Sequence, residues 1–222
     1  MSERDDDADD ATRPEAHDAI MEGVYEALIA DGFAALTMQD IADEAGVSKS
    51  LLHYHYDTKQ DLLVAFLDHL IERGKARAAE HEDDPAPERL RKFVGSALVD
   101  NDADDWAFAT ALLELQAQAP YDDAYRDQLA RNEAFMRDHV AAIVREGVER
   151  GEFRDVDPDA IARLVLAAVD GARTERVVVD DDTPEVVHDA LVDHVLADIA
   201  RDGDDATGDD ENSADGDSEA VE

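Results

Sequence analysis

The sequence predicts an all-α chain, a small N-terminal head of three helices followed by a larger helical bundle. Three observations carry this expectation. Apolar residues recur with the 3.6-residue helical period, the β-branched alternation of strands is nearly absent, and Gly or Pro falls at helix-length intervals. A first helix is expected over Glu15–Asp31, with Ile20, Val24, Ala27 and Leu28 on one stripe and Gly32 as its C-terminal cap. Two short helices, Met38–Ala45 and Ser48–Tyr56, are split by Gly46. A long helix over Thr58–His81 carries Leu62, Leu63, Phe66, Leu67, Leu70 and Ile71 as its buried stripe and bridges head and body. After a break at Asp83–Pro87, helices are expected over Glu88–Asp100, Asp104–Ala119, Pro120–Arg150, Pro158–Val178 and Pro184–Arg201, ended by Gly151 and the prolines. Residues 15–62 are thus assigned to the head and 63–201 to the body. The flanking acidic arm, 1–14, and acidic tail, 202–222, hold too little apolar surface to offset ordering entropy and are expected to be disordered.

Composition narrows the chemistry. With no cysteine among 222 residues, disulfides, thiol nucleophiles and thiolate metal sites are excluded. No segment approaches the eighteen or so apolar residues of a membrane span, so a cytoplasmic protein without membrane contact is expected. No Gly-rich phosphate loop, Gly-x-Ser-x-Gly or His-x-x-x-His spacing occurs, and neither an enzyme, a cofactor nor a metal is expected. Charge is the dominant signal: 20 basic against 58 acidic residues give a net charge of −38. The excess is not confined to the tails. An acidic, lysine-poor surface fits adaptation to molar intracellular salt, where repulsion is screened within a few ångströms, and the expected source is a halophilic archaeon.

Thr37–Leu62 carries the most specific pattern. Two helices joined by the tight Ala45-Gly46-Val47-Ser48 turn form a helix-turn-helix signature. Ile41, Ala42 and Ala45 make the inner face of the first helix, Gly46 gives the turn its backbone freedom, and Ser48 can cap the second helix. Stepping about 100° per residue, Lys49, Ser50, His53 and Tyr54 fall on one face of that helix, and Leu51, Leu52, His55 and Tyr56 on the other. The first face offers donors suited to base edges and phosphates; the second is expected to pack inward. Lys59 follows a Thr58-x-x-Asp61 capping pattern and opposes the helix dipole there, a cost that hints at use. Two of only four lysines lie within residues 49–59, so the sparse cations gather where a phosphate backbone would lie.

This run resembles the TetR/AcrR family of regulators through Thr37, Ile41, Ala42, Ala45, Gly46, Val47, Ser48, Leu52, His55, Thr58, Lys59 and Leu62, with Gly32-Phe33 upstream. The resemblance implies a transcription factor, a repressor by the family's habit, that binds a near-palindromic double-stranded DNA operator as a homodimer. It implies phosphate contacts by Thr37, Tyr54 and Lys59 and base reading by Lys49, Ser50 and Gln39, with His53 and the capping Ser48 beside them. His53 departs from the family's usual Tyr, and Tyr56 from its usual Phe. The body resembles the family more loosely, and Ala167–Gly171 is similar to BetI-type members. By that resemblance the last two helices form a four-helix dimer interface, through Ile161, Leu164, Val165, Ala168 and Val169 and through Val187, Leu191, Val195 and Ile199. The resemblance also implies an effector pocket for a small hydrophobic ligand among the middle helices. Trp106, Phe108, Leu112, Tyr121, Tyr125, Phe135 and Met136 are candidates for its wall, although residues at such helical spacing are more often core packing. Two other readings stay open: a DNA-binding regulator without an effector, and an interaction protein of this fold that has lost DNA binding.

Overall fold

The computed structural model describes residues 6–179 and 181–200, so the expected tail 202–222 and the first five residues of the expected arm lie outside the described residues. The first helix, α1 (Asp6–Ala35), begins ahead of Glu15. Residues 6–14 therefore continue a helix that was expected to start after them; aspartate suits the positive end of a helix dipole, and alanine is the best helix former. Gly32 interrupts α1 with φ +70° and ψ 168°, a backbone region open in practice only to glycine, and turns the chain toward the next helix.

The head continues through α2 (Met38–Glu44) and α3 (Lys49–His55) into α4 (Lys59–Ala79), which runs on into the body. α1 and α2 cross so closely that a Cβ on Gly23 would lie 2.6 Å from the Ala45 Cβ and backbone nitrogen. Ile20, Met21, Val24, Leu28, Ile41, Leu52, Leu62 and Phe66 close the core of the head. That core does not stop at the head, because Ala111 and Leu115 of α6 (Ala103–Gln116) and Tyr125 of α7 (Asp123–Glu149) complete it.

The body adds α5 (Ala86–Leu98), α8 (Pro158–Val179) and α9 (Thr183–Ala190), which runs through a π-type stretch, Leu191–Leu196, into α10 (Ala197–Ile199). α7 starts at Asp123 rather than Pro120 because Asp122 caps it, accepting from the Ala124 and Tyr125 amides. Gly151, at φ +73°, ends α7, and Phe153 then plugs the space beside Gly147, where a Cβ would sit 2.2 Å from its ring. Among the described residues no strand forms; a single antiparallel bridge joins Phe153 to Ala200. No helix among them is long and apolar enough to cross a membrane.

The last two apolar helices present only part of the expected face: Leu164 is exposed and Ile161, Ala168, Val187 and Val195 are half-buried, while the rest turn inward. Val165, Val169, Leu191 and Ile199 are at most 4% exposed and belong to the protomer's own core. The large apolar residues left outside on these helices are Leu164, 51% exposed, Val178, Val179, and Val186, 60% exposed. Each helix uses its wider apolar stripe to build the body, which leaves only the far edge for a partner.

Candidate nucleic-acid interface and internal cavity

The interface begins with the caps that aim α2 and α3. Thr37 Oγ1 accepts from the Gln39 and Asp40 amides, while the Asp40 carboxylate accepts from the Thr37 amide at 2.8 Å and hydroxyl at 2.7 Å. These bonds, and behind them the Lys49 charge, hold the Asp40 carboxyl below the usual carboxylate range. Gly46 takes φ +65° with open space around its missing Cβ, so backbone conformation alone demands glycine there. Ser48 Oγ accepts from the Leu51 amide at 3.1 Å and starts α3, with its hydroxyl proton still available to donate.

α3 presents Lys49, Ser50, His53 and Tyr54 to solvent, with Tyr54 73% exposed. On the opposite face only Leu52 is fully buried. Tyr56 is half-buried, its hydroxyl 3.3 Å from His17 Nδ1. Leu51 and His55, expected to pack inward, are exposed, because a seven-residue helix seats on its neighbours along one line of contact rather than a full half-face. Gln39 is also exposed, and its amide donates to Asp43 Oδ1 at 2.8 Å.

Lys59 is arranged differently from the expectation of a free phosphate ligand. The Thr58–Asp61 capping box forms as the pattern predicts, yet the Lys59 ammonium turns back over the head. It donates to the Leu36 carbonyl at 2.8 Å and the Phe33 carbonyl at 3.4 Å, and lies 5.0 Å from the centre of the Phe33 ring. These acceptors offset the unfavourable dipole of α4 and leave one ammonium proton for an outside anion.

Below the head, α4 to α8 surround a cavity of about 550 Å³. Leu112, Phe135 and Met136 line it, as the sequence suggested. The other aromatic candidates do not. Phe108 packs between Tyr25 and Phe66, Tyr125 closes the core beneath Phe33, Tyr121 is 88% exposed, and Trp106 lies under the Arg176 guanidinium. Sequence reasoning missed the charged part of the wall, Glu133, Asp170 and Arg173. Asp170 and Arg173 attract each other through space, and Asp105 adds to the field on Arg173. Burial, then the nearby Glu133, pushes the Asp170 carboxyl up, and burial lowers Arg173 from its ordinary value. Two opposite charges three residues apart, next to the apolar stripe of α8, were the available signal.

The comparisons with known proteins agree with this architecture. Residues 20–66 match the family described as bacterial regulatory proteins, tetR family, and residues 85–201 match the BetI-type transcriptional repressor C-terminal family. A TetR transcription regulator of Haloarcula marismortui is 35% identical, with a TM-score of 0.75, and the match covers 85% of this chain and all of that one. This chain belongs to the TetR family. A transcriptional regulator of Saccharomonospora viridis, solved in complex with choline, is 25% identical with a TM-score of 0.71, covering 86% of this chain and all of that one. The curated regulator TtgR of Pseudomonas putida is 37% identical over 34% of this chain; the alignment spans only 39% of that relative's length. As a TetR-family member the protein is a DNA-binding transcriptional regulator and not an enzyme.

Proposed function

We propose that the protein is a homodimeric repressor that holds a near-palindromic operator through α3 and releases it when a small molecule enters the body cavity. The observation that carries this reading is the double role of α6. One side of α6 supplies Ala109, Leu112 and Leu113 to the cavity wall, while Phe108 meets Tyr25 of α1 at 4.9 Å and Ala111 and Leu115 complete the core of the head. An occupant that moves α6 is therefore felt by the helices that aim α3. Lys49, Ser50, His53 and Tyr54 supply base and phosphate contacts, joined by Thr37, Gln39, Ser48 and the remaining proton of Lys59.

The ligand we propose is a small organic cation with an apolar body. Apolar walls suit the body, Phe93 and Phe135 supply aromatic rings, and Glu133 and Asp170 outweigh the single positive charge of Arg173. The choline held by the S. viridis regulator has this chemistry. The protein acts on cytoplasmic DNA. The deciding experiment is footprinting of the full chain on the DNA upstream of its own gene in molar KCl, repeated with choline. A protected near-palindrome released by choline is the expected result. Protection that choline leaves intact would exclude this ligand, and no protection at all would exclude the operator reading.

A further inference from the structure

We propose that His17 and Asp18 of α1 and His69 of α4 bind one divalent transition-metal ion of the zinc class, which fastens α1 to the bridging helix. One ligand atom from each of the three side chains lies within 4.8 Å of the others. The two imidazole rings already meet edge to face, with centroids 5.8 Å apart. A tetrahedral zinc ion with bonds of about 2.0–2.2 Å sets its ligand atoms roughly 3.4 Å apart. His17 and Asp18 are exposed and His69 half-buried, which leaves their side chains room to rotate toward that spacing.

The donor set selects the ion. Two imidazoles and one carboxylate favour zinc, cobalt(II) or nickel, whereas magnesium and calcium favour oxygen ligands alone. Three protein ligands leave a further position for water. The Tyr56 hydroxyl, 3.3 Å from His17 Nδ1, orients that ring and leaves its other nitrogen to ligate, the kind of outer partner that metal-bound histidines use. Arg73 of α4 opposes a cation here, but Glu22 of α1 stands 4.0 Å from its guanidinium and offsets it. Through that Tyr56 contact a bound ion would also brace the end of α3. Because the ligands come from two helices far apart in the chain, no linear spacing could reveal them.

The test is calorimetric titration of ZnCl₂ into the chelator-stripped full chain, in molar KCl with excess Mg²⁺ to occupy the many surface carboxylates. One zinc ion per protomer is expected, with a raised thermal midpoint. His17→Gln and His69→Gln should each weaken binding by more than about 100-fold, beyond the 10–100-fold typical of losing an outer partner. Co²⁺ in place of zinc should give the intense visible bands of a low-coordinate, nitrogen-bound ion. An isotherm unchanged in both variants, or the faint spectrum of octahedral all-oxygen Co²⁺, would overturn the proposal. If His69→Gln fails to fold, the exposed His17→Gln decides alone. Metal affinity is read without DNA, so its outcome is separate from that of the operator reading.

Discussion

At Gly23 a single hydrogen stands where any side chain would meet the backbone of Ala45, and backbone cannot move aside cheaply. Gly23→Ala is expected to part α1 from α2 and destabilise the fold by about 1–3 kcal/mol, read as a lower denaturant midpoint. Lys59 makes a second residue-scale prediction. Lys59→Met keeps an apolar stem over Phe33 but loses the bond to the Leu36 carbonyl, so stability should fall by about 0.5–1.5 kcal/mol along with operator affinity. A variant that lost affinity with an unchanged melt would show that the carbonyl contacts do not hold the head. The sequence marked Lys59 as a cation out of place, but not its partners, which lie more than twenty residues away behind the turn at Gly32. Gly23 gave no signal at all, because a glycine beside an apolar stripe reads the same whether it faces solvent or another helix.

α3 is the element whose reading depends most on angle. The count of about 100° per residue placed Lys49, Ser50, His53 and Tyr54 together, and all four are exposed. It failed at Leu51 and His55 because periodicity assigns a face, while the width of the buried stripe depends on how many neighbours the helix has. The division along the exposed face predicts distinct behaviour. Tyr54→Ala should weaken binding about equally across operator variants, as loss of a phosphate contact does, whereas Ser50→Ala should change base preference. Competition against a set of operator variants measures both, and the reverse pattern would mean that α3 sits in a different register on the duplex. Capping was the most legible feature of the local structure: Ser48 and Thr58 both bond as their patterns require, since a cap and its target lie within three residues of each other.

For the whole molecule, the sequence carried the order of helices but picked out only Leu112, Phe135 and Met136 of the cavity wall, because packing between distant helices leaves no period in the chain. The same reason sent Leu191 inward when it was expected at the interface between copies. The dimer is now expected to rest on Leu164 and Val186. Leu164→Glu with Val186→Glu should give a folded monomer by light scattering and circular dichroism, whereas Leu191→Glu should unfold the body. The net charge of −38 sets a further expectation. Lys49 and Lys59 can neutralise few phosphates, so operator affinity should persist above roughly 1 M KCl, with a slope far shallower than the six or more contacts of an ordinary repressor would give. A steep loss between about 0.3 and 2.5 M would mean that basic residues elsewhere reach the backbone. Finally, the core that α6 and α7 close beneath the head bears on how such proteins can be recombined. A head cut out with α4 would leave behind Ala111, Leu115 and Tyr125 and bare the apolar surface they cover. The unit that can be exchanged between relatives is therefore the head together with the α6 surface beneath it, and a chimera that swaps DNA specificity alone should fail at that seam.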